Sequence, residues 1–244
     1  MLRKTLCFSA LALLVGTTAC TGSLRYKVDA AMIADLPQSE KQNLVSWQGD
    51  RERAQSEKDK AQIDLMAARR ALDDAQLESV AARLGSQKLL TELDKEQPRQ
   101  QGTLLARLQA ELRVAKLAED AAEAHLRFCR QRRAMSEAQL AVADTHLQLA
   151  EARIEQEQAR LAARYGRLPP RKLPVATFDQ QVTEAETQHT LRRQEISKHA
   201  TLSSTIEREY NQKLSLYTQA RLQTPSFTPF PLTLSSNQPL PMPE

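Results

Sequence analysis

The sequence predicts an all-α protein: a long antiparallel helical hairpin with coiled-coil periodicity, a third helix, and a proline-rich, disordered C-terminal tail. Three observations lead there. Aromatic residues make up 4% of the chain and glycine occurs six times in 244 residues, too little for a thick core or a series of tight β-turns. Ala, Leu, Glu, Gln, Arg and Lys dominate, the mix of long exposed helices, and no segment has the alternation of a strand. Finally, apolar residues recur every seven positions over long stretches that proline and glycine interrupt at only two internal places.

Taken in order, residues 1–19 read as an export signal. Arg3 and Lys4 precede an apolar run from Leu6 to Val15 that is too short to span a bilayer. Gly16, Thr17, Thr18 and Ala19 then lead to Cys20, small residues ending in a thiol that can be alkylated. These residues resemble the lipobox of bacterial lipoproteins, with Thr17 standing where that class usually has Leu. The resemblance covers only the first 20 residues. It implies that Cys20 carries a diacylglyceryl thioether, that cleavage precedes it, and that the lipid holds the chain to a membrane. With Thr21 rather than Asp after the cysteine, it further implies the outer membrane of a Gram-negative cell, facing the periplasm.

Residues 20–37 are aperiodic and close on Pro37, which reads as a lipidated tether. The helical domain follows over 38–222. Helix one is expected over 39–97, opened by the capping-box spacing of Ser39 and Gln42. Ala54, Ala61, Ala68, Ala75 and Ala82 repeat by sevens along it, with Leu65 and Leu72 beside them, a narrow small-residue seam. Pro98 and Gly102 punctuate a tight reversal.

Helix two is expected over 103–165. Val114, Ala121, Phe128, Met135, Val142 and Leu149 form one stripe, and Leu117, Ala124, Ala138, Ala152 and Ala159 a companion, broken by Gln131 and Thr145. Leu140, Leu147, Ile154 and Leu161 add a second stripe, so this helix needs more than one neighbour. Gly166 and Pro169, Pro170 and Pro174 end it. Helix three, expected over 177–222 from a second capping-box spacing at Thr177 and Gln180, has the weakest stripe, interrupted by His189, Arg192, His199 and Lys213. Residues 223–244 form the proline-rich tail.

Charge narrows the function classes. The net charge of +4 falls to about +2 once Arg3 and Lys4 leave, so nucleic acid is not an expected partner. Of three cysteines, Cys7 leaves with the signal and Cys20 takes lipid, so Cys129 is the remaining thiol and no internal disulfide forms. His125 and Cys129, four apart, could face one metal, but two ligands do not make a site, and no metal or cofactor is expected. Arg127, Arg130, Arg132 and Arg133 form a candidate interaction patch for an acidic partner or lipid phosphates.

No nucleophile and base, carboxylate pair or phosphate cradle stands out, so an enzyme is not expected. The expectation is a lipid-anchored envelope protein with a structural or interaction role, an unidentified envelope protein partner, and homo-oligomerisation through its coiled coil. The alternative is an accessory of an envelope export or efflux machine, or a periplasmic holding chaperone.

Overall fold

The computed structural model describes residues 26–99, 102–169 and 174–228, and three long helices carry nearly all of them: α1 (Gln42–Glu96), α2 (Gly102–Arg164) and α3 (Val175–Gln223). At about 1.5 Å per residue they measure roughly 80, 95 and 75 Å. No strand occurs among the described residues. The expected signal segment, Cys20 and most of the proline-rich tail lie outside those residues.

Polar cross-links fix the direction of each helix. Lys58 pairs with Asp144, Glu78 with His125, and Ser86 with Glu119, so positions rise along α1 as they fall along α2. Likewise Gln156 bonds Asp179, Gln131 bonds His199 and Arg127 bonds Glu209 on α3. Both neighbouring pairs are antiparallel, and α2 lies between its two partners. The two stripes expected on helix two are thus accounted for by two separate neighbours.

The alanine seam of α1 is buried throughout: Ala54, Ala75 and Ala82 are fully enclosed, and Ala61, Ala68, Leu65 and Leu72 nearly so. In the register set by the cross-links, these alanines face a second small-residue heptad on α2 that sequence periodicity alone did not single out. It comprises Ala122, Cys129, Ser136, Ala143 and Ala150, all buried. Two facing ridges of small side chains let the helix axes approach closely, which lengthens the run of backbone-to-backbone dispersion contact.

Three boundaries differ from expectation, each for a physical reason. Residues 26–37 are not a tether; they form a strap across one end of the bundle. Val28, Ile33 and Leu36 are buried with Leu44, Leu161, Leu168 and Phe178, and Tyr26 packs edge-on against Phe178. The Val28 N–H donates to Glu155 at 2.7 Å, that of Tyr26 to Gln181 at 3.2 Å, and Asp35 pairs with Arg167. Apolar residues too sparse to show periodicity are here sufficient to close an open bundle end.

Neither expected capping box forms. A 3-10 turn over Gln38–Lys41 precedes α1, and α3 begins at Val175 behind Pro174; in both places the residue at the cap makes no side-chain capping bond. A proline at the helix entry sets the backbone without a hydroxyl cap, and the first turn of α3 is extended by the Thr177 N–H donating to the Pro174 carbonyl.

The C-terminal segment beyond α3 is also not wholly free: Phe227 is buried beside Val114, Ala118 and Tyr217. An aromatic ring four residues past the helix end finds the apolar face of α2. Gly166, by contrast, behaves as expected. Its φ is +67°, and the bonds from Gly166 to the Ala163 carbonyl (3.0 Å) and from Arg167 to the Ala162 carbonyl (2.7 Å) complete a Schellman termination of α2.

Candidate functional site

All three helices contribute polar side chains at one level of the bundle. His125 on α2 donates from Nδ1 to Glu78 Oε2 of α1 at 2.9 Å, with both side chains largely enclosed. The imidazole stacks on the Tyr210 ring of α3, centroids 4.9 Å apart, and Phe128 also stacks with that ring at 5.8 Å. Cys129, one turn along α2 from His125, is 2% exposed.

The electrostatics follow from this arrangement. Burial disfavours charge on His125, but the side chains of Cys129 and Glu78, through hydrogen bonding and then through their charges, outweigh it and push the imidazole up to about 9. Burial, then the nearby Glu78 and Cys129, raise the Tyr210 hydroxyl above its ordinary value. The Glu78 carboxylate thus favours the protonated imidazole, which also lies against an aromatic face.

Thiol, imidazole and carboxylate in series have the order of a nucleophile, its base and an orienting acid. Here that series is closed off. The thiol is sealed between α1 and α2, while two polar grooves of about 340 and 310 Å³ lie elsewhere, by Glu40, Asn43, Arg160 and Arg164 and by Lys27, Arg51 and Glu155. Among the described residues no group of three His, Cys, Asp or Glu is placed to hold a metal ion. The cluster is a buried Glu78 and His125 pair joining α1 and α2, with Tyr210 of α3 stacked on the imidazole.

A second polar level lies about 20 residues, or nearly six turns, along the bundle. Thr145 bonds His189 at 3.2 Å, His146 bonds Glu57 at 2.7 Å, and the two histidine rings are 5.3 Å apart. Burial, then the His146 and Arg193 charges, lower the His189 imidazole. Between the two levels, Gln131 donates to the His199 carbonyl at 3.1 Å. The residues that break the stripe of helix two, Gln131 and Thr145, are thus the partners of those that break the stripe of helix three, His199 and His189.

The arginine patch does not form one free surface. Arg127 is bound to Glu209 of α3 at 2.7 Å, Arg133 to Glu137 at 2.9 Å, Arg132 is half-buried with its Nε enclosed, and Arg130 is exposed. Four arginines within seven residues point around the whole helix, and the two neighbouring helices claim part of that circumference. Glu78 was not singled out from sequence, and Tyr210 only as a residue of the apolar stripe of helix three, beside Val182 and Tyr217. The available signal was a carboxylate beside the alanine seam, three residues after Ala75 and four before Ala82.

No family model, curated protein or solved structure matches the chain.

Proposed function

We propose that the chain is a lipid-anchored envelope protein, held to a membrane through Cys20, whose helical rod serves a structural or interaction role. The observation that carries this reading is the run from Arg3 to Cys20, with its charged start, short apolar stretch and small residues before a cysteine. The described helices support a need for such an anchor. None of them is long and apolar enough to cross a membrane, and their surfaces are rich in ion pairs. In this reading the strap brings the first described residue, Tyr26, to one end of the rod, six residues from the lipidated cysteine. The outer membrane, facing the periplasm, is the proposed location.

The test is Cys20→Ser. In the expressing cell this change abolishes incorporation of labelled fatty acid and moves the protein out of the membrane fraction. Unchanged membrane association would refute the anchor. A second reading, an accessory of an envelope export machine, draws on the long α1 and α2 hairpin. Copurification with a transporter after crosslinking would replace the structural reading with this one.

A further inference from the structure

The outer face of α1 carries an apolar stripe that none of the described residues covers. Ile63, Met66, Leu77, Val80 and Leu84 are 61, 51, 70, 57 and 61% exposed. At about 100° per residue they centre roughly 170° around the helix from the alanine seam that faces α2. A surface helix presenting apolar groups on both sides has a second packing partner to satisfy.

The spacing within the stripe says what that partner is. From 63 to 80 the exposed positions read Ile63, Met66, Arg70, Asp73, Leu77 and Val80, with alternating steps of three and four. These are the a and d positions of a heptad seam. The order is also palindromic about a centre between residues 71 and 72. If a second α1 is laid antiparallel, Ile63 meets Val80, Met66 meets Leu77, and Arg70 meets Asp73, each contact occurring twice. This is the pattern an isologous two-fold interface requires.

Charge selects this register against the others. Arg70 and Asp73 are exposed, and neither makes an ion pair among the described residues. A parallel alignment would stack Arg70 on Arg70 and Asp73 on Asp73. An antiparallel register shifted by one heptad would set Arg70 against Val80 and Asp73 against Leu77. The flanking positions agree with the centred register, pairing Ala67 with Asp74 and Arg69 with Gln76, so no like charges face each other.

We infer that the outer face of α1 is the seam of an antiparallel homodimer, centred on a reciprocal Arg70 and Asp73 pair. The inference does not depend on the lipid anchor, although it bears on it. The two N-terminal ends of the pair lie about 90 Å apart, so a pair anchored in one membrane lies along that surface.

A photoreactive residue at Leu77 of the full-length chain, in the expressing cell, tests this directly. The expected product is a crosslink to the segment containing Met66 of a second copy. Within one α1 these positions are about 16 Å apart, so the product reports on two chains. Arg70→Asp alone and Asp73→Arg alone should each lower its yield about tenfold, and the double exchange should restore it to within about twofold, because like charges at the centre are replaced by an inverted pair. The residues are exposed, so circular dichroism should show the same helicity in all variants. Repeating the experiment with Cys20→Ser separates the two claims: the crosslink persists in that background whatever becomes of the anchor. No crosslink, capture of lipid or another protein alone, or yields indifferent to the charge exchanges would each overturn the dimer.

Discussion

The two faces of α2 hold their neighbours by different means. Toward α1 it presents a ridge of small residues, Ala122, Cys129, Ser136, Ala143 and Ala150, against an alanine heptad, and burial is continuous over some 30 residues of each helix. Toward α3 burial is concentrated at the ends, in Phe178 and Val182 near one and Tyr210 and Tyr217 near the other. Between Val182 and Tyr210 no residue of α3 is buried, and the helix is held there by Gln131 with His199 and Thr145 with His189. The difference teaches that a seam of small side chains gives adhesion along its whole length, whereas polar pairs set register at points and leave the intervals thinly held.

The largest effect should come where the two interfaces meet. Glu78→Ala leaves His125 enclosed without its carboxylate, and should cost up to about 3 kcal/mol in denaturant unfolding, the imidazole losing its proton rather than staying charged. The same site gives a pH dependence. Because the folded imidazole is raised to about 9 from an ordinary value near 6.5, its contribution to stability is complete below about 6.5 and is lost as pH rises through about 9. Melting temperature should therefore fall across that window in the native chain and stay flatter in His125→Phe. An equal fall in both would remove His125 as the cause.

Next in size, Ala75→Leu should cost about 1–3 kcal/mol by forcing the small-residue ridges apart. The same enlargement on the other side of the bundle, Ala185→Leu, should cost well under half as much, since Ala185 is only half-buried beside Leu149 and Val182. Thermal unfolding of the two variants compares the interfaces directly. Gln131→Ala should cost about 1 kcal/mol, the value of one partly enclosed hydrogen bond. It should also raise the protease sensitivity of α3 more than that of α1. The smallest effect is expected for Arg127→Ala, under about 1 kcal/mol, because its bond to Glu209 is exposed. A loss as large as that of Glu78→Ala would show that the arginine patch matters to the bundle in a way its geometry does not explain.

The uneven legibility of the fold follows from the same contrast. The alanine heptad of α1, the break at Pro98 and the Gly166 termination were readable because each rests on a local rule: side-chain size at a fixed period, a missing N–H, a positive φ. The strap over 26–37 and the return of Phe227 were not, because isolated apolar residues become informative only once a distant surface exists to receive them. The small ridge of α2 escaped notice because Cys129 and Ser136 are not read as apolar, although size is what counts at that seam. Of the buried cluster, His125 and Cys129 stood out by their spacing. Glu78 and Tyr210 joined them only through the antiparallel register of three helices.

The central claim is that α1 and α2 form one continuous unit to which the middle of α3 is lightly attached. Native-state amide hydrogen exchange tests it most directly. The account predicts the slowest exchange in residues 54–82 and 115–150 and exchange at least about tenfold faster in residues 187–205, with protection in α3 recovering toward Phe178 and Tyr217. Uniform protection along all three helices, or slowest exchange in the middle of α3, would contradict it.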